Sequence, residues 1–128
     1  MPKFHNKKVR TEFGDFDSRN EYRRFLYLLK ALERGEIRGL ERQTEFELLP
    51  TQYYTKTIQL KTKTKEVQRV AEKAVMYKAD FTYTRTRDDA YVVEDFKGFI
   101  TKEYVLKRKL MNMIGYPIRQ VTKPDEPV

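Results

Sequence analysis

Two short apolar runs whose residues alternate sides constrain this chain most. Over residues 74–85 (AVMYKADFTYTR), Val75, Tyr77, Ala79, Phe81 and Tyr83 share one side; Met76, Lys78, Asp80, Thr82 and Thr84 share the other. A period of two over that length predicts a strand with one face in a core. Residues 91–97 (YVVEDFK) form a second such run, and Arg87-Asp88-Asp89 between them reads as a turn. The simplest arrangement is an antiparallel hairpin. It carries acids in unusual places. Asp80 falls mid-strand among apolar neighbours, where an isolated carboxylate is costly, so it is expected to be paired or metal-bound. Asp95 and Lys97 share a face by parity, with Glu94 and Phe96 on the other. The hairpin can bring Asp80 and Asp95 together, and a divalent cation relieves the repulsion of two such carboxylates. An ordinary Asp/Lys ion-pair cluster is the alternative at this point.

The remaining elements follow from pattern. Residues 18–34 predict a helix, with Tyr22, Phe25, Leu26, Leu29 and Leu32 at helical spacing and Gly35 as the stop. Ser18 and Glu21 fit the Ser-x-x-Glu capping box, in which the Glu side chain returns to the cap amide. Glu21 also borders the apolar stripe and can project over the sheet towards Asp95, so it stands as cap or as ligand. Residues 37–40 read as a turn and short connection, and residues 43–49 as a strand ended by Pro50. Residues 53–62 read as an exposed strand or hairpin arm. Residues 66–73 fit either a strand or a short helix. A second helix is expected over about 102–114, capped by Thr101, closed by Gly115, with Tyr104, Val105, Leu110, Met111 and Ile114 inward. Residues 116–122 give a last strand. On this reading residues 1–16 are a basic arm, residues 17–122 a single domain with a basic insertion at about 51–73, and residues 123–128 a disordered polar tail.

Composition enters through charge and chemistry. The chain has 128 residues, with 27 Lys plus Arg against 19 Asp plus Glu, a net charge of +8 that favours a polyanionic partner. Lys7, Lys8, Lys56, Lys61, Lys63, Lys65, Lys102 and Arg108 are the candidate nucleic-acid contacts, with Tyr53 and Tyr54 available to stack on bases. A solvated edge hairpin protected by lysine is the bland reading of the middle segment. There is no cysteine and one histidine, His5, which excludes thiolate sites and centres built on several histidines. A bound metal would therefore take oxygen ligands, as Mg2+ or Mn2+ does. No apolar run reaches spanning length, so no membrane association and a cytoplasmic location are expected.

The order helix, strand, strand, strand, helix, strand, with Asp on the second core strand and Asp-x-Lys on the third, resembles the PD-(D/E)xK nuclease superfamily. The plan is similar to that of small phage-encoded members related to junction-resolving endonucleases. The segments that carry the resemblance are Phe16-Asp17-Ser18-Arg19-Asn20-Glu21, Gln43-Thr44-Glu45-Phe46-Glu47-Leu48, Tyr77-Lys78-Ala79-Asp80-Phe81 and Val93-Glu94-Asp95-Phe96-Lys97-Gly98 with Thr101. Two positions depart from the pattern: Ala79-Asp80 stands for Pro-Asp, and Asp95 for the commoner Glu. The resemblance implies an α/β (α+β) fold with a restriction-endonuclease-like core and a mixed central sheet flanked by helices. It also implies a Mg2+- or Mn2+-dependent DNA endonuclease of phage or prophage origin, acting in the host cytoplasm as a homodimer, with branched DNA or four-way junctions as the attractive substrate. In that site Asp80, Asp95 and the Phe96 carbonyl bind metal, and Glu21 binds or positions it. Lys97 orients or helps deprotonate the attacking water or stabilises the phosphorane, and Gln43 stands either as a support to the site or as a plain polar strand residue. The competing expectations are a non-catalytic nucleic-acid-binding protein with a structural Asp/Lys cluster, and a phage assembly factor.

Overall fold

The computed structural model describes residues 8–128; His5 and Lys7 lie outside the described residues. Among the described residues ten elements follow in order: β1 Val9–Thr11, β2 Gly14–Phe16, α1 Arg19–Glu33, β3 Ile37–Leu49, β4 Gln52–Gln59, β5 Thr64–Glu72, β6 Val75–Arg85, β7 Ala90–Phe96, α2 Lys102–Met113 and β8 Ile118–Val121. The fold is a mixed α+β architecture, with two helices among the described residues. Its main sheet has the order β3-β6-β7-β8, and β1-β2 and β4-β5 form separate two-stranded ribbons. β7 runs antiparallel to β6 and parallel to β8, with α2 as the crossover. The chain divides into two compact units, residues 1–44 with 79–128, and residues 45–78. Among the described residues no helix is long and apolar enough to cross a membrane.

Both helices begin and end by the same local chemistry. Ser18 Oγ accepts from Glu21 N–H at 3.1 Å, and Thr101 Oγ1 accepts from Tyr104 N–H at 3.0 Å. At the far ends Gly35 (φ +76°) and Gly115 (φ +95°) adopt the left-handed conformation. Gly35 N–H then reaches Leu32 O and Glu36 N–H reaches Ala31 O; Gly115 N–H and Tyr116 N–H reach Asn112 O and Met111 O in the same way. This double bond pattern satisfies carbonyls that a helix end leaves open.

The face of α1 that is buried differs from the expected stripe. Glu21, Arg24, Phe25, Leu28 and Ala31 are buried, whereas Leu32 is exposed and Leu26 and Leu29 are half-buried. The helix is turned so that Phe25 stacks on Phe81 of β6, with ring centroids 6.1 Å apart, and Arg24 meets Glu94 of β7. Phe16, Phe25, Leu28, Ala31, Ile37, Phe81, Tyr83 and Val92 form the resulting core. Arg24 Nε and Nη2 bind the two Glu94 oxygens at 2.7 and 2.8 Å, and Tyr83 Oη donates to Glu94 at 2.7 Å. Both carboxylate oxygens of Glu94 are thereby satisfied, which a buried pair requires.

Several expected boundaries are corrected. Residues 37–40 belong to β3, which accommodates left-handed positions at Gly39 and Gln43 instead of a turn. Of the two readings of residues 66–73 the strand holds for 66–72, which fall on β5 because β4 pairs along it from Gln59–Thr64 to Gln52–Glu72, and Lys73 lies just beyond. The later part of the basic arm is a hairpin: Val9 pairs with Phe16, and Arg42 donates to Phe13 O and Asp15 O while lying 3.7 Å over the Phe16 ring. The tail 123–128 is docked rather than disordered. Arg24 donates to Pro124 O at 3.2 Å and to Glu126 O, Arg119 binds Glu126 and Pro127 O, and Val128 packs on the core. On α2, Tyr104 and Met111 are buried and Val105 and Leu110 half-buried, but Ile114 is exposed.

Candidate functional site

The β6–β7 register sets the site. Phe81 pairs with Glu94, and one step further Phe96 N–H donates to Asp80 Oδ2 at 2.8 Å. Opposed residues of an antiparallel pair share a face, so the Asp80 side chain falls with Asp95 and opposite to Glu94. Asp95 is buried, and its Oδ2 makes no hydrogen bond among the described residues; Lys97 Nζ stands 3.3 Å from it as an ion pair. Burial first, then the adjoining Asp95 carboxyl, then that of Glu21, push the Asp80 carboxyl far above the ordinary carboxylate range. A hydrogen bond from an amide favours ionisation, so the upward shift shows that burial and like charge dominate.

Glu21 reaches this cluster from the first turn of α1. Its own N–H completes the Ser18 cap, and its Oε2 accepts from Asp17 N–H at 2.8 Å. The capping box is thus drawn one residue upstream, to Asp17 in place of Ser18. Cap and site neighbour are compatible in one side chain, because a carboxylate has more acceptor positions than the Asp17 amide uses.

Tyr104 completes the surroundings and was legible from sequence only as an inward residue. Its ring lies under the Lys97 ammonium at 4.5 Å, and its hydroxyl is buried without a hydrogen-bond partner among the described residues. Burial and then the Asp95 charge raise its phenol above the usual value. The available signal was its position three residues after the Thr101 cap, which fixes it on the first turn beside the Asp-x-Lys strand.

Glu21, Asp80, Phe96 and Lys97 line a cleft of about 460 Å³, with Asp17, Ser18, Asn20, Gly98, Phe99, Thr101 and Lys8 around it, while Asp95 and Tyr104 are buried and stand outside its lining. The starts of both helices and two lysines therefore face one hollow beside three acids. Lys102 is exposed next to the Thr101 cap, and Arg108 donates to Gln120 Oε1 at 2.9 Å. Lys56, Lys61, Lys63 and Lys65 belong to the unit 45–78, all exposed. Gln43 is half-buried with φ +58°, a strained conformation for a side-chain-bearing residue within a strand.

Among the described residues no three His, Cys, Asp or Glu side chains are grouped so as to hold a metal ion. The carboxylates of Asp80, Asp95 and Glu21 are the side-chain oxygen donors at hand. They fit a divalent cation on one count: the buried Asp95 Oδ2 has no hydrogen-bond donor among the described residues, with the Lys97 ammonium 3.3 Å away as an ion pair.

Fold and site together define a mixed α+β protein with a carboxylate–lysine cleft at the end of a β-hairpin. The chain belongs to the DUF1064 family, described as "Protein of unknown function", which matches residues 1–122. No curated protein and no solved structure matches the chain.

Proposed function

We propose that this protein is a metal-dependent DNA endonuclease of the PD-(D/E)xK type. The observation that carries the reading is the meeting of Asp80 and Asp95 on one face of β6 and β7, with Lys97 Nζ 3.3 Å from Asp95 and Glu21 lining the same cleft. Asp80, Asp95 and the Phe96 carbonyl would hold Mg2+ or Mn2+, with Glu21 beside them. When bound, the ion lowers the pKa of a coordinated water and offsets charge on the phosphate. Lys97, steadied between Asp95 and the Tyr104 ring, would supply the cation that orients the attacking water or offsets charge on the phosphorane. Glu21, fixed by the Asp17 amide, orients the water or the ion from the α1 side. Lys8 and the first turns of α1 and α2 offer positive charge and N–H groups to the phosphates on either side of the scissile bond.

DNA is the proposed partner, in keeping with the net charge of +8. Branched DNA is the proposed substrate, cut by two copies acting on paired strands. The experiment is cleavage of a labelled four-way junction and a matched duplex, with and without Mg2+, by wild type and Asp80→Asn. Metal-dependent junction cutting that the variant loses while keeping DNA binding supports the reading. Equal cutting of both substrates keeps the nuclease and removes the junction preference. The 3.3 Å Asp95–Lys97 pair favours a second reading, a non-catalytic nucleic-acid-binding protein with a structural ion pair. Binding without cutting under either metal would decide for it.

A further inference from the structure

We propose that the β4–β5 hairpin is a ribbon that enters the major groove of duplex DNA by one particular face. This rests on the nucleic-acid part of the reading above and not on cleavage. The register sorts the hairpin's side chains. Tyr54 pairs with Arg69, Lys56 with Val67 and Ile58 with Lys65; the alternate pairs are Tyr53–Val70, Thr55–Gln68, Thr57–Glu66 and Gln59–Thr64. Opposed residues share a face and neighbours along a strand do not. One face therefore carries Tyr54, Lys56, Lys65 and Arg69 around Ile58 and Val67, with the Gln52–Glu72 pair at its base beyond a shift in register. The other carries no basic residue and one acid, Glu66. Sequence order shows only a basic segment; the register places its paired cations on a single side.

That face has the form a groove binder needs. Tyr54, Lys56, Lys65 and Arg69 are exposed, while Ile58 and Val67 between them are half-buried. Two strands about 4.8 Å apart, with side chains, match a major groove about 12 Å wide. Eight residues of β4 at about 3.3 Å each are long enough to follow the groove while the outer lysines meet phosphates. The tip is closed by Leu60 N–H to Lys63 O at 2.8 Å, and it presents exposed Lys61 and Lys63. A-form RNA has a deep, narrow major groove that side chains do not read, so the duplex concerned is B-form DNA. Tyr54 contributes stacking or methyl contact on this face, and Tyr53, the more exposed of the two, lies on the opposite one.

The test uses the full chain carrying Asp80→Asn, so that binding is read without cutting, by anisotropy of a labelled DNA duplex over a range of salt. The triple variant Lys56→Gln, Lys65→Gln, Arg69→Gln is compared with a charge-matched control outside the hairpin, Lys30→Gln, Lys109→Gln, Lys123→Gln. The hairpin triple is expected to bind at least about tenfold more weakly and to lose about 2 to 3 from the slope of log K against log salt. The control is expected to stay within about threefold of the parent. Tyr54→Ala is expected to weaken binding and Tyr53→Ala to leave it unchanged; this pair decides the matter if the triple variant fails to fold. Equal losses in the two triples, equal effects of the two tyrosines, or equal affinity for duplex RNA would each overturn the proposal. So would self-association lost in the hairpin triple with DNA binding intact, which would assign the face to a second copy. Failure of wild type to cut DNA leaves this inference standing and removes the nuclease, so the two readings fail separately.

Discussion

At the residue scale, Glu21 and Asp80 make separable predictions. Glu21→Gln keeps an oxygen for the Asp17 amide and leaves the Ser18 cap, while removing the charge near Asp80. It is expected to change stability by less than about 1 kcal/mol and to lower cleavage at least about tenfold, read by denaturant melts beside initial rates. Asp80→Asn keeps an acceptor for the Phe96 amide and removes the ionisable group. The sign follows from the raised value. Below the ordinary carboxylate pKa the folded and unfolded chains both hold the proton and nothing is lost. As pH rises past it the unfolded chain releases its proton and the folded chain does not, so stability falls through that window. Metal-free wild type should therefore melt lower at pH 7 than at pH 5 relative to Asp80→Asn, and the variant should be the more stable at neutral pH. Saturating Mg2+ should reverse this order by stabilising wild type alone, about 2.7 kcal/mol at a hundredfold excess over Kd.

At the scale of elements, α2 matters through its first turn. Thr101 caps it, and Tyr104, three residues on, supports Lys97. Loss of the cap hydroxyl in Thr101→Ala is expected to cost about 1 kcal/mol of stability and, on the proposed nuclease reading, to lower kcat more than it raises KM, since the disturbed group is Lys97, the cation proposed to act in the chemical step. A rise in KM with kcat intact would assign the α2 start to substrate binding. The hairpin β6–β7 is the other deciding element. A slip of one residue in its register would put Glu94 where Asp95 is and expose the apolar set. The Arg24–Glu94 pair on the opposite face opposes such a slip, because Glu94 has its partners only in this register.

At the scale of the molecule, the docked tail closes the Arg24 network. Deleting residues 123–128 removes the Pro124 and Glu126 acceptors of a buried guanidinium and the contact of Val128 with the core. It is expected to cost about 2–4 kcal/mol, read as a lower urea midpoint. The same deletion combined with Arg24→Met should cost less than the sum of the two, since the unsatisfied donors are then gone. An additive result would mean the tail acts through Val128 packing alone.

The sequence by itself determined the elements and the parity of the acids. Period-two runs, the Ser18 and Thr101 caps and the Gly35 and Gly115 stops are local, and their bond partners lie within a few residues. The same parity separates Asp95 from Glu94 without reference to anything distant. Tertiary structure alone decided which side of α1 is buried. Leu26, Leu29 and Leu32 offer one apolar stripe, Phe25, Leu28 and Ala31 another, and the choice goes to the second because it carries Arg24 to Glu94, 70 residues away. It also decided the tail, whose own residues look disordered and whose order comes from donors on α1 and β8. The face of the β4–β5 ribbon that gathers the cations was beyond sequence for a related reason: pairing register depends on where the partner strand begins, which no single strand encodes.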